Sequence, residues 1–134
     1  MKQSFIVSQK RILVVEDNED ISKPLVFRLR KKGFQVLTAP DGRSGLTEAR
    51  LRLPHLIILD LHLPFLSGEE VCKAIREDDD ETIRKIPIIM LTAKSSEADR
   101  IVGKVIGANS YVTKPYDPIR LFREIEIHLE LNDE

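Results

Sequence analysis

Residues that carry a charge or a hydroxyl group follow four short apolar runs of this chain. The acids are Glu16-Asp17 and Asp60, the hydroxyl belongs to Thr92, and the ammonium belongs to Lys114. Carboxylate oxygens are the ligands that Mg²⁺ prefers, and a lysine can neutralise charge on a phosphoryl group. If the fold gathers these residues, the chemistry they predict is that of a cation and phosphoryl site.

The apolar runs before these residues are typical of buried parallel strands, because they are continuous, rich in β-branched side chains and bounded by turn residues. Helical patterns alternate with them, so five βα units predict an α/β fold with a doubly wound parallel sheet. In such sheets ligands bind beyond the carboxyl ends of the strands, where the polar residues stand. The predicted strands are residues 6–15, 34–39, 55–59, 87–91 and 109–113, and the predicted helices are residues 18–32, about 46–53, 69–76, 95–106 and 118–131.

Local signals set the expected ends of several elements. Asn18 is a good N-cap for the first helix, and Gly33 is a good stop. Pro24 lies beyond the first helical turn, so we expect a kink or a late start. Leu53 is expected on the inward face of the second helix, and the charged residues 77–85 are predicted to be a solvated loop or a frayed helical extension.

Length and composition limit the class of protein. The 134 residues predict a single domain, 1–134, with its core at about 10–131. With 21 basic and 22 acidic residues the net charge is −1, so direct contact with nucleic acid is not expected. The single cysteine, Cys72, is predicted to be a small buried residue. No apolar run is long enough for a membrane span and no secretory signal is evident, which predicts a cytoplasmic protein.

Each of these candidate site residues also has an ordinary structural interpretation. Glu16 and Asp17 suit Mg²⁺, but acids at a helix N-terminus are common. Asp60 is a possible nucleophile toward phosphorus or a simple turn residue. Lys114 and Thr92 can contact a phosphoryl group, or be a solvated lysine and a threonine satisfied by the backbone. Their shared position at strand ends favours the reactive site.

Segments spread over most of the chain, from about residue 12 to residue 129, resemble the receiver domain of bacterial two-component response regulators. The order and spacing of these segments make a chance match improbable. The resemblance implies a flavodoxin-like (βα)5 fold with five strands in the order 2-1-3-4-5. The segments are Val14–Asn18, Leu59–Gly68, Leu91–Ala93 and Gly107–Pro115.

The resemblance also implies roles around a phosphoacceptor. Asp60 would accept a phosphoryl group from a phosphohistidine on a sensor histidine kinase or a histidine phosphotransfer protein. Asp17 and Asp60 would bind Mg²⁺ directly, together with the backbone carbonyl of His62, and Glu16 would bind it through water. Lys114 would contact the phosphoryl group, next to a cis bond that joins it to proline.

A switch is implied as well. Thr92 would move toward the phosphoryl group, and Tyr111 would rotate inward behind it. These movements would alter the surface of the fourth helix, fifth strand and fifth helix, where a downstream effector protein would bind. Tyr111 can also be a strand aromatic that packs on its neighbours. The implied protein is a signalling switch rather than an enzyme.

Three other functions stay open. An aspartate-based phosphohydrolase normally needs a second acid two residues after its nucleophile, where this chain has His62. A nucleotide-binding module would need a glycine-rich loop after the first strand, and the sequence there is Glu16-Asp17-Asn18-Glu19. A pseudo-receiver would bind partners without being phosphorylated, although all the key residues are present.

The fifth predicted helix has two apolar faces. One face is expected to be core, and the other carries Ile127 and Leu131 near Arg120 and Glu124. The outer pair is either a partner-docking strip or a sign of fraying at the C-terminus. The predicted core residues of this helix are Leu121, Phe122, Ile125 and Leu129.

Overall fold

Five parallel strands form one sheet in the computed structural model, which describes residues 10–92 and 107–129. The strand order is β2-β1-β3-β4-β5, so the predicted doubly wound α/β fold and the order 2-1-3-4-5 are confirmed. Because β1 lies between β2 and β3, the chain changes direction along the sheet next to β1 and β3, which is where ligands bind in such folds. The strands are β1 Arg11–Val15, β2 Gln35–Ala39, β3 Leu56–Asp60, β4 Ile88–Thr92 and β5 Ser110–Thr113.

Helices cover both faces of the sheet. The predicted helix at residues 95–106 lies outside the described residues. In the described parts of the chain, no helix combines the length and the apolar character that crossing a bilayer requires. The described helices are α1 Glu19–Lys31, α2 Gly42–Arg52, α3 Gly68–Arg76, the single turn α4 Glu81–Arg84, and α5 Pro118–Leu129.

The apolar runs are continuous because the central strands are buried on both sides. In β1, Ile12 and Val14 face a core that α1 and α5 cover, whereas Leu13 and Val15 face a core that α2 and α3 cover. All five residues of β3 are buried, and so are all five of β4. The sheet thus has two hydrophobic cores, and its central strands need apolar side chains along most of their length.

The first helix begins where its cap predicted. The Asn18 side chain accepts a hydrogen bond from the amide of Asp20 at 2.9 Å, and the helix starts at Glu19. The helix therefore does not start late, and it continues through Pro24 to Lys31. The alternative expectation, a kink at Pro24, stays a prediction. Gly33 ends the helix with φ of 101°, a conformation that glycine adopts without strain.

Two strands reach further toward the site than predicted. Asp60 is the last residue of β3 and Thr92 is the last of β4. The ladder extends to them because the Leu61 amide donates to the Leu91 carbonyl at 2.9 Å and the Lys114 amide donates to the Thr92 carbonyl at 2.6 Å. At the other end, the first strand was predicted too long. It begins at Arg11, not before it, and residues 6–9 lie outside the described residues.

Leu53 is not an inward-facing helical residue. It is the C-cap of α2, in the left-handed conformation with φ of 48°, and its side chain is exposed. Its amide still donates to the Ala49 carbonyl at 3.1 Å, which explains why the helical pattern extends to it. The buried residues of α2 are Gly42, Gly45 and Ala49.

Residues 77–85 are neither a loop nor a frayed extension of α3, contrary to the prediction. They contain α4, which is capped by Asp80 through a 2.8 Å bond from the amide of Thr82. Ile83 is buried in the core beneath α3. Arg84 donates to the carbonyl of Asp78 at 2.9 Å and holds the start of the segment.

Arg76, on α3, fastens this segment to the strands. Its guanidinium donates to the carbonyls of Gly107, Arg84 and Ile86 at 2.9, 3.0 and 2.8 Å. It also donates to Asn109 Oδ1 at 2.8 Å. One side chain therefore joins α3, α4 and the segments that lead into β4 and β5.

The last helix packs as predicted. Its buried residues include Leu121 and Ile125, while Phe122 is partly buried against the same core. Ile127 is exposed, as expected. Leu131 lies outside the described residues, so the proposed pairing of the two is a prediction that the structure does not address.

Candidate functional site

Three carboxylates meet beyond the carboxyl ends of β1 and β3. These strands are neighbours, with Val15 opposite Leu59, so the residues that follow them emerge side by side. Oxygen atoms from Glu16, Asp17 and Asp60 lie within 4.8 Å of one another. Glu16 and Asp60 are buried, at 5% and 3% exposure, while Asp17 is exposed. The acidic cluster therefore has one open side.

Lys114 completes the cluster from the end of β5. Its Nζ lies 3.1 Å from Glu16 Oε1 and 3.2 Å from Asp60 Oδ1. Its amide donates to the carbonyl of Thr92, and the bond to Pro115 is cis, as the resemblance implied. The backbone of β4 thus positions the lysine so that its ammonium lies between two buried carboxylates.

The electrostatics of the site follow from burial and crowding. Burial raises the pKa of Glu16, the charge of Asp60 raises it further, and the Asn18 amide and Lys114 oppose the rise only in part. Burial lowers the pKa of Lys114, but the carboxylates of Asp60 and Glu16 outweigh that and leave it above its ordinary value. Three carboxylates with one ammonium carry an excess of negative charge when all are ionised.

The donor set fits Mg²⁺. Its atoms are hard carboxylate oxygens, one of the acids is exposed, and a divalent cation would offset the excess charge that Lys114 leaves. Asp17, Asp60 and Glu16 are the side chains that would hold it. The ring of His62 is exposed, and its backbone amide donates to Asp60 Oδ1 at 3.4 Å. A role for the His62 carbonyl as a ligand stays a prediction.

The two predicted switch residues lie on neighbouring strands. Thr92 is fully buried at the end of β4, one position beyond the residue paired with Asp60. Tyr111 is half-buried on β5, paired with Met90, and packs against the core that α2 and α3 cover. The structure thus brings Asp60, Thr92 and Lys114 to one edge of the sheet, and places Tyr111 two residues before Thr113, the last residue of β5.

Two contributors to the site were not predicted. Asn18 was expected only to cap α1, but its amide also donates to Glu16 Oε2 at 3.1 Å. Gly68 allows α3 to approach the phosphoacceptor candidate, because a Cβ atom there would lie 2.2 Å from the carbonyl oxygen of Asp60. Neither contact has a signal in the sequence beyond residue type, since each depends on how the loops return to the sheet.

Comparisons with known proteins agree on one family. The family model for the response regulator receiver domain matches residues 12–126. The sensory transduction protein RegX3 of Mycolicibacterium smegmatis is 43% identical over 114 residues, which are 85% of this chain and 48% of that protein. The chain therefore spans about half the length of the curated relatives it matches.

Solved structures agree with this assignment. The chemotaxis protein CheY4 of Vibrio cholerae superposes with a TM-score of 0.81 at 32% identity, over 87% of this chain and 96% of that one. The receiver domain of the sensor histidine kinase PA1611 of Pseudomonas aeruginosa PAO1, solved with a magnesium ion coordinated in its active site cleft, gives 0.83 at 31% identity, over 90% and 98%. The resemblance seen in the sequence is confirmed, and the chain belongs to the family of response regulator receiver domains.

Proposed function

We propose that this receiver domain is a phosphoacceptor switch whose phosphoryl group is carried on Asp60. The observation that carries the proposal is the position of the Lys114 ammonium, 3.2 Å from Asp60 Oδ1 and beside two further carboxylates. A carboxylate in that setting has a cation at the place where charge develops during phosphoryl transfer. The donor is a phosphohistidine on a sensor histidine kinase or a histidine phosphotransfer protein.

The transfer exchanges one bond to phosphorus for another. A carboxylate oxygen of Asp60 attacks the phosphorus atom, and the P–N bond to the donor imidazole breaks as the new P–O bond forms. The imidazole leaves with its electron pair and takes up a proton. The product is an acyl phosphate on Asp60, and the Lys114 ammonium donates a hydrogen bond to one of its phosphoryl oxygens.

Mg²⁺ is the proposed cofactor. Asp17 and Asp60 would hold it directly with the His62 carbonyl, and Glu16 would hold it through water. When bound, the ion supplies charge neutralisation for the acids and for the phosphoryl oxygens. Asp17 suits direct contact because it is exposed on the open side of the cluster.

The phosphorylated state is read by a protein. Thr92 responds to the phosphoryl group and Tyr111 follows it, which changes the surface formed by the predicted helix 95–106, β5 and α5. A downstream effector protein binds there. The domain acts as a switch without turnover of an external substrate, and contacts neither nucleic acid nor membrane directly. A cytoplasmic location stays a prediction.

The test is the mass of the intact protein after incubation with acetyl phosphate and Mg²⁺. We expect one added phosphoryl group on the wild type and none on Asp60→Asn. Asp41→Asn is the matched control, because Asp41 lies outside the cluster and its Oδ1 only caps α2 through the amide of Ser44 at 2.7 Å. That variant should be phosphorylated like the wild type.

Three results would contradict the proposal. Addition of a phosphoryl group to the Asp60→Asn variant would show that another residue is the acceptor. No addition to the wild type, from acetyl phosphate or from a phosphorylated histidine donor, would favour a pseudo-receiver. Continued turnover of a phosphomonoester would favour a phosphohydrolase.

A further inference from the structure

Phe65 combines two unusual properties in the loop between β3 and α3. Its φ is 68°, in the left-handed region that bulky residues rarely occupy. Its side chain is 78% exposed, more than any other large hydrophobic residue in the described parts of the chain. The fold therefore accepts backbone strain and exposes an aromatic ring at the same residue, and such outliers are concentrated at functional sites.

The loop around Phe65 is held in this conformation from both sides. The amide of Leu66 donates to the Pro64 carbonyl at 2.8 Å, and the amide of Gly42, the first residue of α2, donates to the same oxygen at 3.4 Å. After the loop, Ser67 and Glu70 form a capping box that fixes the start of α3. The ring is thus displayed on a rigid support, which lowers the entropy lost when a partner covers it.

A cation accompanies the ring. The guanidinium of Arg43, exposed on α2, lies 5.8 Å from the centre of the Phe65 ring. Aromatic and arginine side chains are the residue types enriched at the centres of protein interfaces. We call Pro64, Phe65 and Arg43 the Phe65 patch.

The loop that carries Phe65 starts at Leu61, immediately after the proposed acceptor Asp60, and returns to it at Gly68, whose amide donates to the Leu61 carbonyl at 2.9 Å. This loop therefore forms part of the rim of the site. A protein that delivers a phosphoryl group must bring its histidine to Asp60, so its surface covers this rim. Resting on the proposed function, we infer that the Phe65 patch is a docking anchor for the phosphodonor protein. The ring enters an apolar pocket of the donor, and Arg43 meets a carboxylate at the edge of that pocket.

The experiment compares a protein donor with a small one. The protein donor is the autophosphorylated histidine kinase, from a panel of the source organism's kinases, that transfers fastest to the wild type. The small donor is acetyl phosphate, which needs no docking surface. For Phe65→Ala we expect the specificity constant of transfer from the kinase to fall by about tenfold or more. The rate with acetyl phosphate should stay unchanged.

Further variants distinguish the effect of the aromatic side chain from the effect of the left-handed backbone at Phe65. Phe65→Tyr keeps an aromatic ring and should transfer like the wild type, whereas Phe65→Gly relieves the strained φ but should lose as much as Phe65→Ala. Arg43→Ala should lose less, and mainly through KM. Leu51→Ala is the matched control, since Leu51 is 71% exposed near the far end of α2.

Several results would overturn the inference. Equal rates of transfer from the kinase to Phe65→Ala and to the wild type would show that Phe65 is not a docking anchor. An equal loss with both donors would mean that the loop positions Asp60. A change in sedimentation with unchanged transfer would assign the patch to contacts between two copies. Transfer from no kinase to a chain that accepts acetyl phosphate would also overturn the inference, whereas failure of both donors would contradict the proposed function itself.

Discussion

Arg76 and Lys114 each join separate segments of the chain, the first at the amino ends of the strands and the second at the carboxyl ends. Arg76 donates to four neutral oxygen atoms, in carbonyl groups and one amide. Lys114 lies instead between two carboxylates, Glu16 and Asp60. Both cations are partly withdrawn from water, yet among residues 10–92 and 107–129 only the lysine has charged partners.

The difference separates a fixed support from a reactive site. Burial lowers the pKa of Arg76. Its acceptors are three backbone carbonyls and the side chain of Asn109, which also accepts a hydrogen bond from the Ile88 amide. Its bonds therefore hold α3, α4 and two strands in one arrangement. At the other end, the acids outnumber the ammonium, so the cluster gains from any further positive charge. Such a site can bind and release a cation, whereas the Arg76 hydrogen bonds can only be formed or broken.

Removing the Arg76 side chain should change the free energy of unfolding most. Arg76→Met should lower the free energy of unfolding by roughly 2–4 kcal/mol, because three partly buried carbonyl oxygens and one side-chain oxygen lose their donor at once. Arg50→Met is the control, since Arg50 forms one exposed pair with Asp78, and should cost about 1 kcal/mol or less. Urea unfolding measures both. Equal losses would mean that Arg76 is no more than a surface arginine.

Removing the other cation should have a smaller effect that depends on pH. Lys114→Met leaves Glu16 and Asp60 without their partly buried ammonium and should cost about 1–2 kcal/mol at pH 7. The missing ammonium also raises the pKa of Glu16 further. When the pKa of a carboxyl group is raised in the folded state, the protein loses stability as pH rises from the unfolded pKa of that group, 4.5, through its folded pKa.

The loss in Lys114→Met should therefore be larger at pH 7 than at pH 4. Unfolding in urea at both values measures it, with Lys73→Met, on the exposed surface of α3, as control. A loss independent of pH would show that the lysine acts through packing alone.

Glu16→Gln should sharpen the comparison by removing one charge from the crowded end. In the wild type, Glu16 costs stability above pH 4.5 because burial and Asp60 raise its pKa. Relative to the wild type, the variant should lose less stability, or gain more, as pH rises from 4.5 to 7, by an amount smaller than the effect of Lys114→Met. Glu126→Gln, exposed on α5, should leave the pH profile as it is. A stability difference between Glu16→Gln and the wild type that stays the same from pH 4.5 to 7 would contradict this account.

The smallest effect concerns His55, at the same end of the sheet as Arg76. Burial lowers the pKa of His55, and Arg11 and Lys10 lower it further, while its Nδ1 accepts a bond from the Arg11 amide at 3.0 Å. The wild type should therefore lose a little stability as pH falls below the ordinary value of 6.5, since the unfolded chain takes up the proton more readily. His55→Asn keeps an acceptor and should lack this loss in thermal unfolding at pH 7 and pH 5.5. An identical decline in both proteins would assign it to other groups.

Much of the fold followed from the sequence for local reasons. A strand buried on both sides needs an unbroken apolar run, so its ends are marked by the first polar residue, as at Asp60 and Thr92. Parallel strands then carry such residues to one edge, which is why the cluster of acids and Lys114 could be expected. Caps depend on one or two neighbouring residues, and Asn18 and Gly33 were identified for that reason.

What the sequence by itself determined is the order of elements, the two-sided burial of the strands and the edge at which charged residues meet. Only the tertiary structure decided which atoms touch there, since the contact between Lys114 and Glu16 joins residues 98 positions apart. The same holds for Arg76, which reaches segments that no local pattern connects to it, and for Leu53 and Phe65, whose left-handed backbones result from loops that must close between fixed elements. Periodicity and caps are short-range properties, whereas loop closure and side-chain networks depend on the whole packed chain.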